Sequence, residues 1–277
     1  MKERINLENN SVFTVNNDMN GVGLTVGEAV SKALSAKRNT YIINDILTPS
    51  KISQLAVAMH RINTRIRFCL SNCILTSEAI DSLNDILSEA NDFEVLIFQT
   101  VEIQNFQLLC EGIKTCSSLS ILTFRNCHLA SSSIEFLIQT FGFLPHLQTF
   151  EISLDRIGPS LFNDICHSLC QCKELTTFRW MENQLGDPSS FVDLFKSVKN
   201  LSYLNFSGIN LNNQWKTTLK TLLDESWQIH DLQIINFDQD LAEKIQKIKQ
   251  EQKCFVMVLF QECQNLLLSI LIMFLLI

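Results

Sequence analysis

The sequence predicts an α/β solenoid: a horseshoe with a parallel concave sheet and convex helices. Two observations carry this expectation. An eleven-residue phrase appears three times between Leu119 and Leu185, as LSILTFRNCHL, LQTFEISLDRI and LTTFRWMENQL. Its apolar residues fall at positions 1, 4, 6 and 11, and position 9 is small or polar (Cys127, Asp155, Asn183). Stepping outward at the same interval then finds further copies, starting at 9, 37, 65, 93, 201 and 232 beside those at 119, 147 and 175. Successive starts differ by 28, 28, 28, 26, 28, 28, 26 and 31 residues, the regularity of a repeat architecture.

The elements follow in order. The first unit, from Asn9 to Ala36, keeps Val12, Asn17 and Met19 in place and then shows helical spacing at Val26, Val30 and Leu34. Its irregularity suits an N-terminal cap that closes the core against water. Later units pair a short strand phrase with a helical stripe. The stripe is Ile80, Leu83 and Leu87 in the unit from Arg65, and Phe106, Leu109 and Ile113 in the unit from Phe93. Ser132 and Glu135 have capping-box spacing ahead of Leu137, Ile138 and Phe141. Asp187 followed by Pro188 places a cap residue before a proline at the first helical position, and Phe191, Leu194, Phe195 and Val198 follow. Side chains alternate across a strand, so positions 4 and 6 point into the core while position 5 points out. No unit buries its apolar face alone, so stability is shared between neighbours.

Composition bounds the class. The chain has 277 residues, 46% hydrophobic and 18% charged, enough for one large core or a long solenoid. A formal charge of -7 argues against sequence-independent nucleic-acid binding, which relies on Lys and Arg to neutralise phosphates. The start, MKERINLENN, is polar and no apolar segment follows it, which argues against a cleaved secretory signal. The ten cysteines are then expected to be reduced and mostly buried, in a cytoplasmic setting that includes the cytoplasm of a host cell.

Units near 28 residues with a full helix in the second half resemble the ribonuclease-inhibitor-like class of leucine-rich repeats. That class is also found in Ran GTPase-activating proteins and in the sensor regions of nucleotide-binding immune receptors. The resemblance spans about Asn9 to Leu241 and implies a leucine-rich-repeat domain over residues 1–243. Residues 244–277 are expected to form a Lys-rich helix and a hydrophobic tail. Val101 and Ile209 hold position 9 in two units and break the polar ladder of the class there.

The resemblance implies protein binding through the concave face. Outward positions 3, 5, 7 and 8 supply Tyr41, Arg67, Gln99, Arg125, Glu151, Arg179, Met181, Glu182, Tyr203 and Asn205. Aromatic and Arg residues dominate interface hot spots, so Tyr41, Arg67, Arg125, Arg179 and Tyr203 are the leading partner-binding candidates, with Glu151, Glu182 and Asn205 beside them. The plainer alternative is that Arg125, Glu151 and Arg179, on three successive units, simply pair with one another as a surface ladder.

Cys166, His167, Cys170 and Cys172 raise a metal or nucleophile reading. Cys166 and Cys170 share a helix face while His167 is turned away by about 100°. Cys116 and Cys170 each lie 23 residues after their unit starts, which suggests repeat-equivalent packing positions. The chain has no Gly-rich phosphate loop, GxSxG elbow or HExxH motif. The expectation is therefore no catalytic site, no metal and no cofactor.

The tail from Phe255 to Ile277 follows Lys244, Lys247, Lys249 and Lys253, and Leu266 to Ile277 contains a single polar residue, Ser269. Gln261, Glu262, Gln264 and Asn265 interrupt the longer apolar window. Membrane contact through Phe255–Ile277 is the favoured reading. A capping helix with Phe255, Leu259, Leu266 and Ile270 inward comes next, and a partner-binding or secretion element is the third. The function expected is a protein-protein interaction module, in one version a bacterial effector acting in a host cell. The alternative is an enzyme regulator acting by direct binding, as inhibitor or GTPase activator.

Overall fold

The computed structural model describes residues 40–43, 46–53, 66–89, 93–153, 156–225, 229, 231–235 and 258–259. The first unit, from Asn9 to Ala36, lies outside the described residues.

Strand and helix alternate along the chain in a parallel-strand α/β repeat arrangement. The main strands are β1 (Thr40–Ile43), β3 (Ile66–Ser71), β5 (Phe93–Gln99), β7 (Ile121–Arg125), β8 (Thr149–Ser153), β9 (Thr177–Met181), β10 (Tyr203–Phe206), β11 (Asp231–Ile235) and β12 (Val258–Leu259). They form one nine-stranded sheet in that order, and each neighbouring pair is parallel. Three two-residue strands, β2 (Ile46–Leu47), β4 (Ile74–Leu75) and β6 (Glu102–Ile103), make a second parallel ladder from phrase positions 10 and 11. The helices are α1 (Ser77–Glu89), α2 (Phe106–Ile113), α3 (Ser131–Thr140), α4 (Pro159–Leu169), α5 (Pro188–Ser197) and α6 (Asn213–Glu225).

The register answers the repeat phrase residue for residue. Tyr41, Cys69, Ile97, Thr123, Glu151, Arg179, Asn205 and Gln233 are successive partners, so position 5 of each unit stands beside position 5 of the next. Positions 4 and 6 are fully buried in every described unit from Phe68 and Leu70 to Leu232 and Ile234. The helices pack on that face: Phe106 meets Phe124 with ring centroids 5.2 Å apart, and Phe191 meets Phe206 at 5.4 Å. Strand and helix residues thus form one continuous core.

Position 9 ties the units together. The Asn183 amide donates to the Ile152 carbonyl of the preceding unit at 3.0 Å, and its oxygen accepts from the Ile157 amide at 3.1 Å. Cys127 occupies the same place and reaches the Phe98 carbonyl at 3.4 Å. Where position 8 is described it follows the strand in the left-handed region, with Asn72, Thr100, Asn126, Glu182 and Gly208 all at positive φ. There the amide donates to the carbonyl of position 7 in the next unit, as Asn72 does to Gln99 and Thr100 to Arg125.

Four readings of the sequence are corrected. Leu232 pairs with Leu204, a position-4 residue, so the last phrase begins at Ile229 and not at Leu232. Ile229 is buried and lies 28 residues after Leu201, which removes the irregular final interval. The residue equivalent to Cys116 is Cys172, not Cys170. Each accepts from the first residue of the next unit, Leu119 or Leu175, in a tight turn that Leu144 and Val198 repeat. Counting from the unit start failed because the unit from Phe93 is two residues shorter. The capping box at Ser132 does not form: α3 already begins at Ser131 behind Ala130, with no side-chain cap, so Ser132 lies inside the first turn. Finally, Val258 and Leu259 are strand, paired with Ile234 and Ile235, so these two residues belong to a sheet edge and not to a helix.

The remainder of Phe255–Ile277, and Lys244 to Lys253, lie outside the described residues. No described helix is long and apolar enough to cross a membrane. Asp187 behaves as its sequence suggests, accepting from the Ser189 amide at 2.9 Å ahead of Pro188. That hydrogen bond to the backbone holds its carboxyl below the usual range.

Candidate partner-binding face

The face opposite the helices is built from positions 3, 5 and 7 of each phrase, and it divides into two halves. In the units from Arg65 to Leu119 it is largely apolar, with Cys69, Val95, Ile97, Ile121 and Thr123. Ile97 and Ile121 are half-buried, so part of each side chain meets solvent. Arg67 borders this half, exposed and paired through Nε to Glu94 Oε2 at 2.9 Å.

The second half is polar and tightly linked. Arg125, at phrase position 7, ends β7, and Glu151, at phrase position 5 on β8, lies diagonally beside it. The guanidinium donates from Nε to Glu151 Oε1 and from Nη2 to Oε2, the latter at 2.7 Å. Arg179 on β9 donates from Nη1 to the same Oε2 at 3.1 Å. One carboxylate thus holds two guanidinium groups. Arg179 in turn lies over the Tyr203 ring, 4.9 Å from its centroid. Such stacking over an aromatic face is attractive and fixes the plane of the guanidinium. Further along, Asn205 Nδ2 donates to Gln233 Oε1 at 2.6 Å, and Asn205 Oδ1 accepts from the Ser207 amide at 2.9 Å.

The structure therefore separates the sequence candidates by where they stand. Arg67, Arg125, Arg179 and Tyr203 lie on this face with part of their side chains open to solvent. Glu151 and Asn205 lie on it too, but they are buried, so they position their neighbours instead of offering themselves to a partner. Glu182 is not on the strand. It is the left-handed turn residue after β9, with φ 56, and its side chain leans over Gly208. Tyr41 takes its expected place in the position-5 ladder beside Cys69; its side chain lies outside the described residues.

Two contributors escaped the sequence reading. Framing the last phrase from Leu232 hides Gln233, and position 2 does not read as outward, which hides Glu94. The register of β3 and β5 shifts by one residue between Ile66 and Arg67, which brings Glu94 within reach of Arg67. A strand pattern alone cannot show such a shift.

The cysteine cluster is packing. Cys166 is buried while His167, its neighbour, is exposed, so the two face different environments. Cys170 Sγ donates to the Cys166 carbonyl at 3.4 Å, and Cys172 Sγ to the Phe141 carbonyl at 3.6 Å. Burial pushes the thiols of Cys69, Cys110, Cys116 and Cys172 up to about 12 and raises that of Cys166 as well. A thiol so shifted stays protonated at neutral pH and is a poor nucleophile or metal ligand. Among the described residues no three His, Cys, Asp or Glu side chains converge on a common point. The sequence matches no protein-family model.

Proposed function

We propose that this chain is a protein-protein interaction module, a leucine-rich-repeat protein of the ribonuclease-inhibitor-like class that binds a protein partner on the sheet face opposite its helices. The observation that carries the reading is the linked row Arg125, Glu151, Arg179 and Tyr203. Aromatic and Arg side chains are the residues that most often anchor interfaces. Here they are held in place before any partner arrives, which reduces the ordering cost of binding. The half-buried Ile97 and Ile121 beside them offer apolar area on the same surface. Shared architecture says little about which partner is bound, so the side chains of this face must carry the specificity.

Site-specific photo-crosslinking tests the proposal. A photoreactive amino acid replaces Ile97 on the sheet face in one version and Asp164, exposed on α4, in another. In cells expressing each version, discrete protein adducts are expected from position 97 and none from position 164. Equal adduct patterns from both, or no adduct at 97, would discard the sheet face as the binding surface.

A further inference from the structure

Building on that reading, we infer that the partner segment carries a carboxylate which docks on Arg179, close to an apolar side chain that lies on Ile97 and Ile121. The charge balance points this way. The whole chain carries a formal charge of -7, yet the cluster of Arg125, Arg179 and Glu151 sums to one net positive charge. Because Glu151 is withdrawn from solvent while both arginine side chains are partly exposed, the positive side chains are what an approaching partner meets.

Arg179 is the under-used member of the cluster. A guanidinium has five N–H donors, and the described contacts of Arg179 use one of them, from Nη1 to Glu151. Its Nε–H has no acceptor but is closed to solvent, so a partner must be met by the remaining Nη donors of a side chain that is 31% exposed. Stacking on Tyr203 fixes the guanidinium plane, so a carboxylate can pair with its edge without first having to order the side chain. An acidic group is the ligand that supplies the acceptors this arginine lacks, and a carboxylate on a protein is the source consistent with the apolar surface alongside.

Spacing sharpens the expectation. The strand carrying Arg179 lies three strands from the one carrying Ile97, about 14 Å at ~4.8 Å per strand. An extended segment crossing the strands at ~3.3 Å per residue covers that distance in about four residues. The acid and the apolar residue of the partner should therefore stand three to five residues apart, by the same rough count.

Selection of random linear peptides displayed on phage against the intact chain tests this, followed by affinity measurement on a selected peptide and its Glu→Gln or Asp→Asn version. The expected result is enrichment of acidic peptides with an apolar residue at that spacing. Removing the peptide's acid should weaken binding about tenfold on the native chain, the size of one charge-assisted hydrogen bond. On R179Q, removing the acid should change affinity less than about twofold. Enriched peptides without an acid, or full loss on removing the acid that persists in R179Q, would overturn the assignment to Arg179 while leaving the binding face in place. If R179Q does not fold, the acid-to-amide comparison on the native chain still decides whether a carboxylate is recognised. Failure to enrich any peptide would overturn both this inference and the proposed function.

Discussion

Arg125 grips the carboxylate of Glu151 on the neighbouring strand with two of its N–H groups, and that carboxylate is 0% exposed. The plainer of the two sequence readings makes the pair one rung of a solvated ladder of small energetic value. Burial changes this, because removing one partner of a buried pair leaves the other's charge uncompensated. Replacing Glu151 by Gln keeps the shape but sets an amide N–H₂ against a guanidinium. The Arg side chains are 24% and 31% exposed, so water offsets part of the loss. The expected cost of E151Q is about 2–3 kcal/mol, below the range for fully buried pairs. Urea unfolding measures it; a change under about 0.5 kcal/mol would return the pair to the surface-ladder class.

Asn183 gives the second prediction. Its amide and oxygen satisfy the Ile152 carbonyl and the Ile157 amide from inside the core. Ala at this position removes both bonds and leaves the Ile157 amide without its side-chain partner, a penalty of about 2 kcal/mol. Because these bonds join two units, protection of the Ile157 amide from hydrogen exchange should fall in N183A before that of distant strands such as β5. Unchanged exchange at Ile157 would mean that water replaces the lost side chain.

The turn residues separate strain from fit. Thr100 holds a left-handed backbone, φ 52, that a β-branched residue seldom adopts, whereas Asn72 and Asn126 occupy the same place comfortably. Thr100→Asn should stabilise the chain by about 0.5–1 kcal/mol. Gly208→Ala should do the reverse. Its φ is +77, and a Cβ there would come within 2.3 Å of Glu182 Cγ. Thermal unfolding of the two variants should therefore move in opposite directions.

The thiols set an alkaline limit. Burial raises the pKa of Cys69, Cys110, Cys116 and Cys172 from an ordinary 9.0 to about 12 in the folded chain. Between these values the unfolded chain has released protons that the folded chain still holds, so stability falls as pH rises. It is fully present below pH 9.0, and within that window each thiol removes about 1.4 kcal/mol per pH unit. The urea midpoint should drop steeply above pH 9, and native thiols should resist alkylation at neutral pH. A flat midpoint up to pH 11 would contradict the burial argument.

Strand phrases were legible because a half-buried strand and its helix leave separate periods in the sequence, and positions 4 and 6 repeat without exception from Phe68 to Ile234. Frame was harder. Leu232 reads as a unit start because an apolar residue begins every phrase from Phe93 to Leu201, but pairing with Leu204 makes it position 4. Cys170 looked equivalent to Cys116 because counting from the strand ignores that the helical half varies in length. On the candidate face, alternation told which residues point outward but not how deep they lie. Glu151 and Thr123 point outward and are still buried, because side chains from adjoining strands cover them. Depth of that kind depends on neighbours 26 or 28 residues away, and only the register reveals it.

Trp215 supplies the last prediction. It is buried on α6, its indole Nε1 donates to the Gly186 carbonyl at 2.9 Å, and its ring lies 5.6 Å from Phe162, 5.6 Å from Phe191 and 5.8 Å from Phe206. These aromatics come from three successive units, so the ring bridges them. Truncation to Ala removes packing on all sides at once, at a cost of about 3–5 kcal/mol. In a repeat architecture the loss is felt first by the unit and its neighbours, since coupling runs between adjacent units. W215A should therefore lose exchange protection across α6 and β11 while β5 and β7 keep theirs, and the unfolding transition should broaden. Uniform loss of protection along the whole sheet would show instead that the units fold as a single cooperative block.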